Sequence, residues 1–114
     1  YNLKNIFLIT PQTTEKRIRY IDDHSDGFIY MVSSSSTTGV KQGIDREKEK
    51  YFSRIKNMKL KNPLMVGFGI GDKNSFSKAC EYAHGAIIGS AFIKTIVHSR
   101  DLKNDIKKFI MKIK

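Results

Sequence analysis

Four short runs of apolar residues recur along this chain, and each is followed by a stretch whose apolar positions fall three and four apart. That rhythm limits the possible folds more than any other feature of the sequence. The runs are residues 5–10, ended by Pro11; 28–32, after Gly27; 64–66, opened by Pro63; and 86–88. None alternates polar with apolar, so each reads as a strand of a parallel sheet covered on both faces. The spacing between them predicts helices. Thr13 or Thr14 caps the first, and Ile18 and Ile21 face inward. Asp45 caps the second, which turns Tyr51, Phe52, Ile55 and Met58 to the core. Glu47 and Glu49 lie in its first turns, where the macrodipole favours acids. Asp72 caps the third, with Phe76, Ala79, Cys80 and Ala83 inward, and Gly85 ends it. After the fourth strand come a short helix over 91–97 and a last helix begun by Ser99 or Asp101. Its inner face is Leu102, Ile106, Phe109, Ile110 and Ile113. The order β-α-β-α-β-α-β-α, with one extra short helix, fits either a doubly wound open sheet or part of a (β/α)₈ barrel.

At 114 residues the chain is the size of one ordinary domain, too short for a multidomain enzyme. Seven Phe and five Tyr beside 28% charged residues exclude a disordered tail. No apolar run nears the roughly 18–20 residues of a membrane span, so no membrane partner is expected. One cysteine, Cys80, excludes an intramolecular disulfide and fits a reducing cytoplasm. Cys80 reads as a core residue of the third helix rather than a nucleophile. No signal-peptide pattern follows Tyr1, and the sequence reads as one that begins mid-protein. A net charge of +10 raises nucleic acid as a partner. The basic residues are instead spread from Lys16 to Lys114 along helix faces that would meet water. The charge therefore reads as a solvated surface, with no nucleic-acid partner. His24, His84 and His98 lack metal-ligand spacing, so no metal is expected. No internal linker interrupts 1–114.

In βα proteins the functional loops stand at the carboxyl ends of the strands. Three such loops here carry glycine: residues 33–39 after the second strand, Gly67-Phe68-Gly69 after the third, and Gly89-Ser90 after the fourth. Glycine lets an anion approach backbone N–H groups, and a helix start adds unpaired donors and a positive dipole end. Ser90 adds a hydroxyl. Two adjacent βα loops and a short extra helix make the recurrent phosphate site of (β/α)₈ barrels. Turn or packing roles for the glycines leave the extra helix unexplained. A nucleotide loop fits less well, because Gly67-Phe68-Gly69-Ile70-Gly71 is not G-x-G-x-x-G and the sequence has no G-x-x-x-x-G-K-[ST]. The polar stretch 33–43 reads as a mobile lid over a site. Tyr30 reads equally as core or pocket wall, and Phe68 as a ring that contacts ligand.

Residues 28–33 running to Thr38-Gly39, Gly67-Phe68-Gly69-Ile70, and 85–94 from Gly85-Ala86-Ile87-Ile88-Gly89-Ser90 to Lys94 together resemble the tryptophan synthase alpha chain family. Ile6-Phe7-Leu8-Ile9-Thr10-Pro11 is similar to that family's fifth strand. The resemblance covers nearly the whole chain. It implies the carboxyl-terminal half of a (β/α)₈ TIM barrel, strands five to eight. It also implies a lyase that splits indole-3-glycerol phosphate into indole and glyceraldehyde 3-phosphate. The expected partner is a beta chain in an α₂β₂ complex, where pyridoxal phosphate belongs to that beta chain and no cofactor to this one. Carried over by position, Gly39, Gly69, Gly89 and Ser90 would hold the substrate phosphate. Tyr30, Phe68 and Ile87 would line the indole pocket, and Thr38 would belong to the closing loop. The family's catalytic glutamate and aspartate have no counterpart here: none of Asp22, Asp23, Asp26 or Asp72 stands at a matching position. No catalytic residue is therefore assigned, and the segment alone is expected to be inactive. Ser36 stands where the family often has glycine, and His84 where it commonly has aspartate. Another phosphate-binding barrel and a non-catalytic half-barrel binding module are the alternatives.

Overall fold

The computed structural model describes residues 1–33, 46–67 and 69–114. Its elements follow the expected order: β1 (Phe7–Ile9), α1 (Glu15–His24), β2 (Ile29–Val32), α2 (Arg46–Asn57), β3 (Leu64–Gly67), α3 (Lys73–Tyr82), β4 (Gly85–Ala86), α4 (Ser90–Val97) and α5 (Leu102–Ile113). Local chemistry sets most boundaries. The Thr14 hydroxyl accepts from Arg17 N and starts α1, and the Ser25 hydroxyl donates back to the Ile21 carbonyl at its end. Asp72 and Ser75 form a reciprocal capping box at α3. Asp101 accepts from Asn104 N and opens α5. Asp45, the expected cap of α2, lies outside the described residues.

The strands form one parallel sheet in the order β1-β2-β3-β4. Parallel neighbours taken in sequence order, joined by right-handed crossovers, carry their helices on the same face. A doubly wound sheet needs a reversal of strand order, and there is none. The sheet is thus an arc of a (β/α)₈ barrel, contributing four of its strands.

Burial agrees with that topology and corrects one expectation. Ile9, Ile29, Met31, Leu64 and Val66 point to the helix side and are buried, against Ile18, Phe52, Ile55 and Ala79. The opposite face is not covered by helices. Leu8, Tyr30, Met65 and Gly85 stand side by side across it, with Leu8 57% exposed and the others half-buried. Uniformly apolar strands arise here because one face meets helices and the other faces the barrel axis.

Two helix faces also differ from their expected burial. In α3 the buried positions are Ser75 and Ala79, and Cys80 is exposed. Cys80 lies about 100° round the helix from Ala79, beyond the stripe that Tyr82 and Ala83 continue onto the core. In α5 only Ile113 is buried. Leu102 and Ile110 are 54% and 49% exposed. This helix rests on α4 and α3, partly through an edge contact between Phe92 and Phe109.

Two polar ties hold the loops. Asp22, buried in the last turns of α1, accepts from the backbone N–H groups of Lys61 and Asn62 at 2.8 and 3.0 Å and from the Asn62 amide at 2.9 Å. At the other end of the sheet, Arg54 of α2 donates to the carbonyls of Pro11 and Thr13, and the Tyr51 hydroxyl donates to the Ile9 carbonyl. His84 adds a further tie. Its Nδ1 accepts from Leu64 N at 3.1 Å, pinning the turn before β4 to the start of β3.

Candidate functional site

The site lies at the carboxyl ends of β2, β3 and β4. Ile87 continues the pairing of β4 by donating from its N–H to the Val66 carbonyl at 2.7 Å. The chain then turns at Gly89 into α4. Gly89 caps α4 with no side-chain hydrogen bond, and the first helical bond runs from Ile93 N to the Gly89 carbonyl. The N–H groups of the first turn are left without intrahelical acceptors, as at any helix start, and carry the positive end of the dipole. The loop after β3 comes up beside them: a Cβ placed on Gly71 would stand 3.6 Å from the Ala91 Cβ.

Between these loops is a cavity of about 380 Å³. Tyr30, Gly69, Ile87, Gly89 and Ser90, all expected at a site from the sequence, line it. A Cβ added to Gly69 or Gly89 would meet no atom within 4 Å, so both glycines open onto free space. Gly69 has φ +77°, a conformation that glycine adopts without strain. Thr38, Gly39 and Phe68 lie outside the described residues.

Gly67 serves a different end. A Cβ there would fall 1.9 Å from the Tyr30 hydroxyl oxygen. The Tyr30 ring therefore lies directly on the Gly67 backbone and forms a wall of the cavity. Burial pushes its phenol above the ordinary value.

The cavity also holds residues that the sequence did not single out for it: Asp72, Ser75 and Lys94. The Asp72 carboxylate is occupied as the cap of α3, accepting from the Ser75 N–H and hydroxyl, each at 2.8 Å. These bonds hold its carboxyl below the ordinary value, and the Lys112 ammonium of α5 adds to them. Asp72 is thus a fixed negative charge rather than a free acid. Lys94 was legible in principle, because it follows Ser90 by four residues and shares its helix face. Among the described residues no group of three or more His, Cys, Asp or Glu could hold a metal ion. No helix among them is long and apolar enough to cross a membrane.

Comparison with known proteins gives one consistent result. The family model for the tryptophan synthase alpha chain matches residues 1–114. The alpha chain of Flavobacterium johnsoniae is 55% identical over 114 residues, covering 100% of this chain and 44% of that protein. That of Bacteroides thetaiotaomicron is 54% identical over 108 residues, covering 95% and 42%. Among solved structures, the Pyrococcus furiosus tryptophan synthase A-subunit superposes with a TM-score of 0.76 at 32% identity, over 97% of this chain and 44% of that one. The Campylobacter jejuni alpha subunit gives a TM-score of 0.78 at 26% identity, over 99% and 44%. The chain thus spans less than half the length of the relatives it matches.

Proposed function

Because the chain belongs to the tryptophan synthase alpha chain family, we propose that its cavity is the phosphate end of a site for indole-3-glycerol phosphate. The activity it serves is cleavage of that ester to indole and glyceraldehyde 3-phosphate, a lyase step of tryptophan biosynthesis. The carrying observation is the open start of α4 beside Gly69, in a cavity that Ser90 also lines. Unpaired N–H donors, a dipole end and one hydroxyl suit a phosphate monoester. Tyr30 and Ile87 form the apolar side where the indole would lie, and Phe68, outside the described residues, is assigned to the same pocket by the family resemblance. Gly39 would complete the phosphate cradle, and Thr38 would belong to the loop that closes it.

The proton transfers need a carboxylic acid and a carboxylate. The one carboxylate that lines the cavity among the described residues, Asp72, is committed to its helix cap. On this reading the described residues bind and orient, and the acid and base come from outside them. A beta chain carrying pyridoxal phosphate is the proposed partner. A tryptophan synthase α₂β₂ complex is the subject of one of the matching Pyrococcus furiosus structures, which supports that reading. The cytoplasm is the proposed location.

Two outcomes are expected. The 114-residue chain alone releases no indole from indole-3-glycerol phosphate, whereas joined to the complementary part of the Flavobacterium johnsoniae alpha chain it does. In that hybrid, Ser90→Ala raises KM by roughly fivefold through loss of a hydrogen bond to a charged group, discounted for a second donor nearby. An active hybrid whose KM ignores Ser90 would remove the phosphate assignment.

A further inference from the structure

The cavity presents a fixed negative charge to the same space that is proposed to take a phosphate. Asp72 lines it, and its carboxylate is locked to Ser75. A dianion placed there meets like-charge repulsion unless a cation compensates. Helix-start dipoles supply only about half a charge. Lys94 is the one cationic side chain that lines the cavity among the described residues. It is also the one charged residue in α4, whose sequence is otherwise Ser90, Thr95 and apolar side chains. The Thr95 hydroxyl is turned back onto the Ala91 carbonyl at 3.0 Å. Lys94 stands one helical turn beyond Ser90, on the face that meets the ligand space. Among the described residues it makes no ion pair, with Asp72 or any other carboxylate.

We infer that Lys94 is a further binding residue of this site, an ammonium that reaches over the start of α4 and contacts the substrate phosphate. Together with Lys112 of α5 it offsets Asp72, and it favours a doubly charged phosphate monoester over uncharged or singly charged sugars. The inference rests on the phosphate reading above. It adds a charge contact to a cradle otherwise made of backbone and one hydroxyl. Because Lys94 is exposed, its contribution is screened by salt as well as by water.

The test is calorimetric titration with inorganic phosphate, at low and moderate salt, of the hybrid that joins this chain to the complementary part of the Flavobacterium johnsoniae alpha chain, carrying the unaltered chain, Lys94→Gln, Lys94→Arg or Ser90→Ala. Lys94→Gln is expected to weaken phosphate binding roughly tenfold and to flatten its salt dependence. Lys94→Arg is expected to retain most of the affinity. Ser90→Ala should weaken binding while keeping the salt dependence. If Lys94→Gln binds phosphate as tightly as the unaltered hybrid while Ser90→Ala does not, the Lys94 contact is overturned and the phosphate site stands. If the unaltered hybrid takes up no phosphate, both readings fall.

Discussion

Gly67→Ala is expected to destabilise the chain by about 3 kcal/mol, at the upper end for overpacking of a buried position. The added Cβ would lie 1.9 Å from the Tyr30 hydroxyl oxygen, 2.1 Å from Cζ and 2.6 Å from Cε1. No small rotation clears three atoms of a rigid ring at once, so the ring must leave its place. Tyr30 then no longer walls the cavity, and phosphate binding should fall with stability. Urea unfolding followed by circular dichroism reads the first effect. A double-mutant cycle reads its cause: in a Tyr30→Ala background the same Gly67→Ala change should cost about 1 kcal/mol, a coupling of about 2 kcal/mol. Equal costs in both backgrounds would show that the ring contact is not what demands glycine at 67.

Asp22→Ala is expected to cost about 3 kcal/mol, because it strips the acceptor from two backbone N–H groups and an amide at a buried site. Asp22→Asn, which keeps one acceptor oxygen, should cost about 1 kcal/mol. Burial pushes the Asp22 carboxyl up, but the bonds from Lys61 and Asn62 outweigh it and leave it below its ordinary 3.8. A carboxyl depressed in the folded state stabilises at pH above its unfolded value and loses that contribution as pH falls through its folded value. Acid unfolding of the unaltered chain should therefore steepen below pH of about 4. The Asp22→Asn variant should lack that share of the pH dependence. Parallel pH profiles for the two proteins would rule out Asp22 as its source.

What could be read from the residues, and what could not, divides by range. Thr14, Asp72 and Asp101 cap helices through bonds to residues three positions on, so their roles are written locally. The apolar runs announce strands for the same reason. The Gly69 and Gly89-Ser90 loops were legible because strand order places them side by side. Asp22 was not, since its partners lie 39 and 40 residues away and no local pattern marks a carboxylate that accepts from a distant loop. The contact between Tyr30 and Gly67 was hidden likewise: it depends on the register that sets Tyr30 beside Met65. The exposed stripe of α5 was misjudged because periodicity tells which residues share a face and not what that face meets.

The tie from α2 back to the end of β1 bears on the order in which this chain can become rigid. Tyr51 and Arg54 bond to Ile9, Pro11 and Thr13 across separations of 41 to 43 residues. During synthesis at about 5–20 residues per second, β1 and α1 leave the ribosome seconds before the side chains that fix their connecting loop. The loop that leaves β1 is therefore set late, by an element that takes no part in lining the cavity. Arg54→Met should leave early hydrogen-exchange protection in α1 intact and delay protection around Thr13.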